Sequence, residues 1–143
     1  MEEVVPVPMS PSQPGRLVEL SEQECWDHLG SRPVGRIAWA GPHGVSVVPV
    51  NFAVKDGAVV LRTSPYAQLA RECVDHEVGF EVDVVDLVTH SGWSVLVQGR
   101  CTRERQASQA PTPWVTGPRT LGLRIEPRTI SGRRLTPPDA ERS

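Results

Sequence analysis

The chain has 143 residues, of which 38% are hydrophobic and 22% charged, and its formal net charge is −2. That length favours one domain with a real core, and the near-neutral balance argues against a nucleic-acid partner or an anionic membrane surface. No apolar run approaches the roughly 20 residues that span a bilayer. The N-terminal MEEVVPVPMSPSQPG lacks the basic start and apolar stretch of a secretory leader, so a cytoplasmic location is expected.

Residues 1–16 carry Pro6, Pro8, Pro11 and Pro14. A segment missing that many N–H donors cannot hold a regular hydrogen-bonded element, which predicts a flexible arm. Ser21-Glu22-Gln23-Glu24 is a capping-box pattern, predicting a helix that runs to about Leu29 and stops at Gly30. Residues 34–40 read as a first strand, and Gly41-Pro42-His43-Gly44 as a turn. Residues 45–54 are apolar and β-branched, Lys55-Asp56-Gly57 supplies a tight turn, and residues 58–63 return as a second strand. A helix is predicted over residues 66–75, with Tyr66, Leu69, Ala70, Cys73 and Val74 on one face.

Val78, Phe80, Val82 and Val84 then alternate with Gly79, Glu81 and Asp83, the mark of a strand with one wet face. Residues 93–102 form the next strand, with Gly99 marking a bulge or a close backbone approach. Residues 106–118 are rich in Pro, Gly, Ser and Thr and predict a long exposed loop. Residues 121–125 alternate as a last strand before Pro127, and residues 137–143 are a polar tail. About six strands joined mostly by short turns, with two short helices, point to a mainly β domain over residues 17–136. Strands of this number close into a small barrel that hides its edges, and no long helices alternate with them as in a doubly wound sheet.

Arg62, Thr63 and Ser64 arrive together at a strand end where a helix begins. A guanidinium, two hydroxyls and free helix N–H groups make a place for an anion, although Arg62 reads equally well as an ordinary surface charge. Trp93 and Trp114, beside Gly-Ser and Pro-rich segments, either stack on an aromatic ligand or bury in a subunit contact or core; Trp39, in mid-strand, reads as core. The four histidines show no metal-ligand spacing, and His90 reads as a solvated loop residue. Glu81 and Asp83 share the wet side of one strand. Cys25, Cys73 and Cys101 form no CxxC pair and read as small buried hydrophobes. No GxSxG is present, and no motif ties a Ser or Cys to a His.

The order GRIAW, VVPVNF, DG, LRTS, a helix, FEVD, GWSVLVQG and RIEP–ISGRR resembles the pyridoxamine 5′-phosphate oxidase-like family of flavin-binding split barrels, especially its small actinobacterial-type members, over roughly residues 18–135. The resemblance implies a six-stranded antiparallel split β-barrel that forms a homodimer with two equivalent sites at the subunit interface. FMN is the usual ligand; some relatives use a deazaflavin, and others bind haem or nothing known. It further implies that Val48, Pro49, Val50 and Asn51 run along the flavin ring and that Arg62, Thr63 and Ser64 hold the ribityl and phosphate oxygens. Trp93 and Ser94 would complete the pocket, with Trp114 contributed across the interface. Relatives commonly show Thr-x-x-Gly-(Ser/Thr)-Lys at the phosphate, where this chain has Thr63-Ser64-Pro65-Tyr66-Ala67-Gln68. Gln68 thus stands where a cation is usual, and a lost charge-assisted contact costs about 1.5–3 kcal/mol. The expectation is an FMN-dependent oxidoreductase acting on a small molecule. The alternative is a non-catalytic cofactor- or ligand-binding or sensing protein on the same fold.

Overall fold

The structure, a computed structural model, describes residues 15–105, 110–114 and 117–137. In chain order the elements are β1 (Arg16–Glu19), α1 (Glu22–Leu29), β2 (Val34–Gly41), β3 (Gly44–Asn51), β4 (Ala53–Lys55), β5 (Ala58–Thr63), α2 (Gln68–Cys73), β6 (His76–Asp86), β7 (Ser91–Arg103) and β8 (Leu121–Thr136). The expected arm over residues 1–14 and the tail from 138 lie outside the described residues. The described part of the expected 106–118 loop forms neither helix nor strand. No helix among the described residues is long and apolar enough to cross a membrane.

The α1 helix starts where the capping box predicts. Ser21 Oγ accepts the Glu24 N–H at 3.1 Å, and the Glu24 carboxylate accepts the Ser21 N–H at 2.9 Å. The bond from the Ser21 backbone, helped by the hydroxyl, holds the Glu24 carboxyl below the usual range. Cys25 and Leu29 turn one stripe of α1 into the core, against β7 and β8.

The strands form one antiparallel sheet in the order β3-β2-β6-β7-β8-β5-β4, with β1 added beside β8. Its two ends, β3 and β4, are consecutive in the chain across Phe52, so the sheet curls round and closes through a covalent link. At that seam β3 lies beside β5 without a hydrogen-bonded ladder, which makes the barrel a split one. Phe52 seals the seam from inside: it is 4% exposed and meets Phe80 edge-on, ring centroids 4.8 Å apart. Ile37, Leu61, Val82, Val95, Leu123 and Ile125 fill the rest of the barrel. The Asp56-Gly57 turn has φ of 50° and 71°, the left-handed pair that a two-residue hairpin loop requires.

The sheet has eight strands where the sequence predicts six. The expected strand over 45–54 breaks at Phe52, whose N–H goes to the Pro33 carbonyl at 3.2 Å, and this divides β3 from β4. The added β1, whose first residue ends the predicted arm, pairs Arg16 with Thr136. The last strand does not stop before Pro127 but runs on to Thr136. Pro127, which has no N–H to give, sits opposite Gly99 at the register shift between Gln98 and Gly99. Gly99 therefore marks both a bulge and a close approach, because a Cβ there would run into the Glu126 carbonyl oxygen. The second helix is shorter than the predicted 66–75. Ser64 Oγ accepts the Tyr66 N–H at 3.2 Å and the Ser64 carbonyl accepts that of Ala67 at 3.0 Å, so a turn occupies the start of that span. Tyr66 consequently leaves the expected apolar face and is 84% exposed, while Leu69, Ala70 and Cys73 are buried as predicted.

Candidate functional site

A cleft of about 310 Å³ opens at the seam of the barrel. One wall is β3, an edge strand whose second backbone edge pairs with no strand among the described residues, so N–H and C=O groups there are available to a ligand. The cleft brings together Val48, Pro49, Val50 and Asn51 of β3, Arg62 and Thr63 at the end of β5, and Gln68 at the start of α2. Two residues that the sequence assigned otherwise, or not at all, join them. Trp39 belongs to the core, as expected, yet it also lines the cleft. Arg119 supplies a second guanidinium; the only trace of it in the sequence is a basic residue just ahead of a strand.

The hydrogen bonds show how far each group is already committed. Arg62 donates through Nε and Nη2 to the Ala110 carbonyl at 3.1 and 2.8 Å, clamping segment 110–114 beside the cleft. Arg62 is therefore a strut as well as a cation. Gln68 Nε2 donates to Glu72 at 3.1 Å, and Trp39 Nε1 donates to the other oxygen of that carboxylate at 2.8 Å. The Trp39 bond is the main reason the Glu72 carboxyl is held below its usual range. Ser64 is not in the lining; its hydroxyl is spent on the turn at Tyr66.

Within one chain, Trp93 and Ser94 do not reach this cleft. Trp93 is half-buried and stacks on His28, ring centroids 4.5 Å apart and 27° from parallel. Ser94 faces the outside of the sheet, in a cleft of about 320 Å³ shared with Leu17 and Arg133. Trp114 lies against its own β3: its N–H donates to Asn51 Oδ1 at 2.8 Å, and its indole is 72% exposed. It lines a third cleft of about 310 Å³ with Arg32 and Arg36. Arg36 bridges Glu81 at 3.2 Å and Asp83 at 3.4 Å. Burial, reinforced by Asp83, pushes the Glu81 carboxyl up to about 7.

Other sources of chemistry are weaker. The cysteines are free and buried, and burial pushes Cys73 and Cys101 up to about 12, which leaves them as inert thiols. No group of three or more His, Cys, Asp or Glu among the described residues is placed to hold a metal. The seam cleft suits a planar ring with an anionic tail. It has apolar side walls, a free strand edge, two guanidiniums and no carboxylate among its described lining residues. That lining offers no His, Cys, Met or Tyr as an axial ligand for haem.

The sequence model of a family described as pyridoxamine 5′-phosphate oxidase matches residues 21–134. An uncharacterized protein of Mycobacterium tuberculosis is 31% identical over 137 residues, spanning 88% of this chain and 90% of that one. The FAD-binding protein of Mycobacterium smegmatis superposes with a TM-score of 0.68 at 32% identity, covering 83% of this chain and 98% of that one. A putative pyridoxamine 5′-phosphate oxidase of Corynebacterium glutamicum gives 0.69 at 29% identity, covering 84% and 94%.

Proposed function

The chain belongs to the pyridoxamine 5′-phosphate oxidase family, and from that premise we propose that it is a cytoplasmic flavin-binding protein, an FMN-type oxidoreductase whose sites form between two copies of the chain. The observation that carries this reading is the seam cleft, where the free edge of β3 meets the two guanidiniums Arg62 and Arg119. Val48, Val50, Leu69 and Trp39 would bound the flavin ring, and Arg62, Thr63 and Arg119 would face its phosphate. Bound there, a flavin supplies one- or two-electron chemistry, and the protein supplies orientation and exclusion of water. Three free thiols accord with a reducing compartment.

Dimerisation is supported by the division of the expected site. Trp93 and Ser94 lie apart from the seam cleft, so one ligand touches both groups only when a second chain brings its own pair. The outer sheet face also carries an exposed apolar row, in which Val85, Gly92, Leu135 and Leu17 align across β6, β7, β8 and β1. Such a row is what a partner surface covers.

A second reading, a flavin carrier or sensor without turnover, is favoured by the lining itself. Its described residues include no Asp, Glu, His, Cys, Lys or Tyr to act as acid or base. The deciding measurement is the absorbance spectrum as purified and after addition of FMN and FAD, followed by anaerobic reduction with a nicotinamide donor. A flavin spectrum that bleaches and returns in air supports the oxidoreductase. Bound flavin that no donor reduces supports the carrier. A protein whose spectrum ignores both flavins overturns the assignment.

A further inference from the structure

The start of α2 meets the seam cleft through Gln68 and Leu69. The one guanidinium on that helix, Arg71, is turned back onto the Tyr66 carbonyl and is not in the lining. What the helix offers a ligand is the Gln68 amide, and the orientation of that amide is decided behind the cleft wall, at Glu72. Gln68 Nε2 donates to Glu72 Oε2 at 3.1 Å, and Trp39 Nε1 donates to Glu72 Oε1 at 2.8 Å. Each carboxylate oxygen thus holds one donor, from two residues that both line the cleft, while Glu72 itself does not line it. Gly41 leaves room for the arrangement: a Cβ there would run into Glu72 Oε1. The carboxylate therefore lies against β2, four residues along α2 from Gln68 and on the same helix face.

An ionised carboxylate only accepts hydrogen bonds, and the Trp39 bond, with that of Gln68, holds Glu72 in that form. The Gln68 amide must then turn its NH2 toward Glu72, which settles which way the planar group sits. Its carbonyl Oε1 accepts no hydrogen bond from the described residues. The unspent atom that α2 brings to the cleft is thus an acceptor, suited to an O–H or N–H of the ligand and not to a phosphate oxygen. The cations that suit a phosphate, Arg62 and Arg119, come from β5 and from the segment before β8. A flavin carries both kinds of neutral donor, hydroxyls on its ribityl chain and an imide N–H on its ring.

We propose that Glu72, without touching the ligand, is a positioning residue of the seam cleft: it sets Gln68 as the acceptor for a neutral O–H or N–H donor of the bound cofactor. The assignment rests on the flavin reading above and adds a specificity device to it. In Glu72→Gln the Trp39 N–H still needs an acceptor, so the new amide keeps its oxygen on Trp39 and turns its NH2 toward Gln68. The Gln68 amide then rotates and shows the cleft a donor in place of its acceptor. Calorimetric titration of the full-length protein, stripped of flavin, with FMN, FAD and lumiflavin tests this. Glu72→Gln is expected to weaken FMN and FAD alike by about fivefold while thermal unfolding stays near wild type. Gln68→Leu should weaken them by the same factor, and the double variant should be no weaker than Gln68→Leu alone, because Glu72 acts only through Gln68. Lumiflavin keeps the imide and lacks the ribityl chain. A parallel loss with lumiflavin assigns the donor to the ring, and unchanged lumiflavin binding assigns it to the chain; both uphold the positioning role. Unchanged flavin affinity in Glu72→Gln, or losses that add in the double variant, overturns the positioning role and leaves the flavin reading intact. A wild-type protein that takes up neither FMN nor FAD overturns both.

Discussion

The β6–β7–β8 meander and the seam cleft are assembled from different kinds of bond. In the meander, long strands are laddered on both sides, from His76↔Cys101 to Asp86↔Ser91 and from Gly92↔Leu135 to Arg103↔Leu123. Glycines lie where backbones press together: Cβ atoms at Gly92 and Gly99 would meet the carbonyl oxygens of Val84 and Glu126. The cleft has a free strand edge, a six-residue helix and a loop segment hung on two side-chain bonds, Arg62 to Ala110 and Asn51 to Trp114. Main-chain ladders resist substitution except where space runs out, and they leave no group over for a ligand. The cleft keeps unspent backbone and guanidinium donors at the cost of local rigidity. Stability and the proposed recognition are thereby separated in space.

The comparison breaks most visibly at Gly99. Gly99→Val is expected to lower stability by roughly 3 kcal/mol, since both the bulge and its neighbours must shift. Urea denaturation measures this, with Gly99→Ala as the milder variant, and near-wild-type stability in both would remove the meander from its structural role. In the cleft the balance reverses. Arg62→Ala should weaken flavin binding by about tenfold while the melting temperature falls by only a few degrees. Unchanged affinity in a fluorescence titration would leave Arg62 as a loop strut alone.

A smaller effect is expected at the helix covering the barrel. Ser21→Ala removes one half of the capping box and should cost about 1 kcal/mol without changing ligand affinity. The smallest concerns Glu81 on the outer face. Its carboxyl is raised in the fold to about 7, so its contribution is complete below the unfolded value and is lost as pH rises through about 7. Glu81→Gln should therefore flatten the decline in melting temperature between pH 5 and about 8. An identical pH profile in the variant would show that the Arg36 contact offsets the burial.

Where a feature was legible in the sequence, its cause was short-range. Ser21 and Glu24 are three residues apart, Asp56-Gly57 is a dipeptide, and Val78, Phe80 and Val82 alternate within one strand, so each pattern carries its own geometry. Most of the seam-cleft lining was legible for the same reason, since residues 48–51 share β3 and Arg62 and Thr63 end β5. Arg119, by contrast, is brought to the cleft by the return of the chain before β8, and nothing around it announces that. Tyr66 was assigned to an apolar helix face because the periodicity allowed it, and a hydroxyl of the preceding turn decided otherwise.

The sequence by itself determined the capped helix, the hairpin and the alternating strands, because each depends on neighbours within a few residues. Only the tertiary structure decided that Arg16 lies beside Thr136, that Pro127 continues a strand opposite Gly99, and that Arg62 spends donors on Ala110. It alone set Trp93 and Ser94 apart from Val48 to Asn51. Those contacts join residues far apart in the chain, and their partners exist only once the sheet has curled and its edges have met.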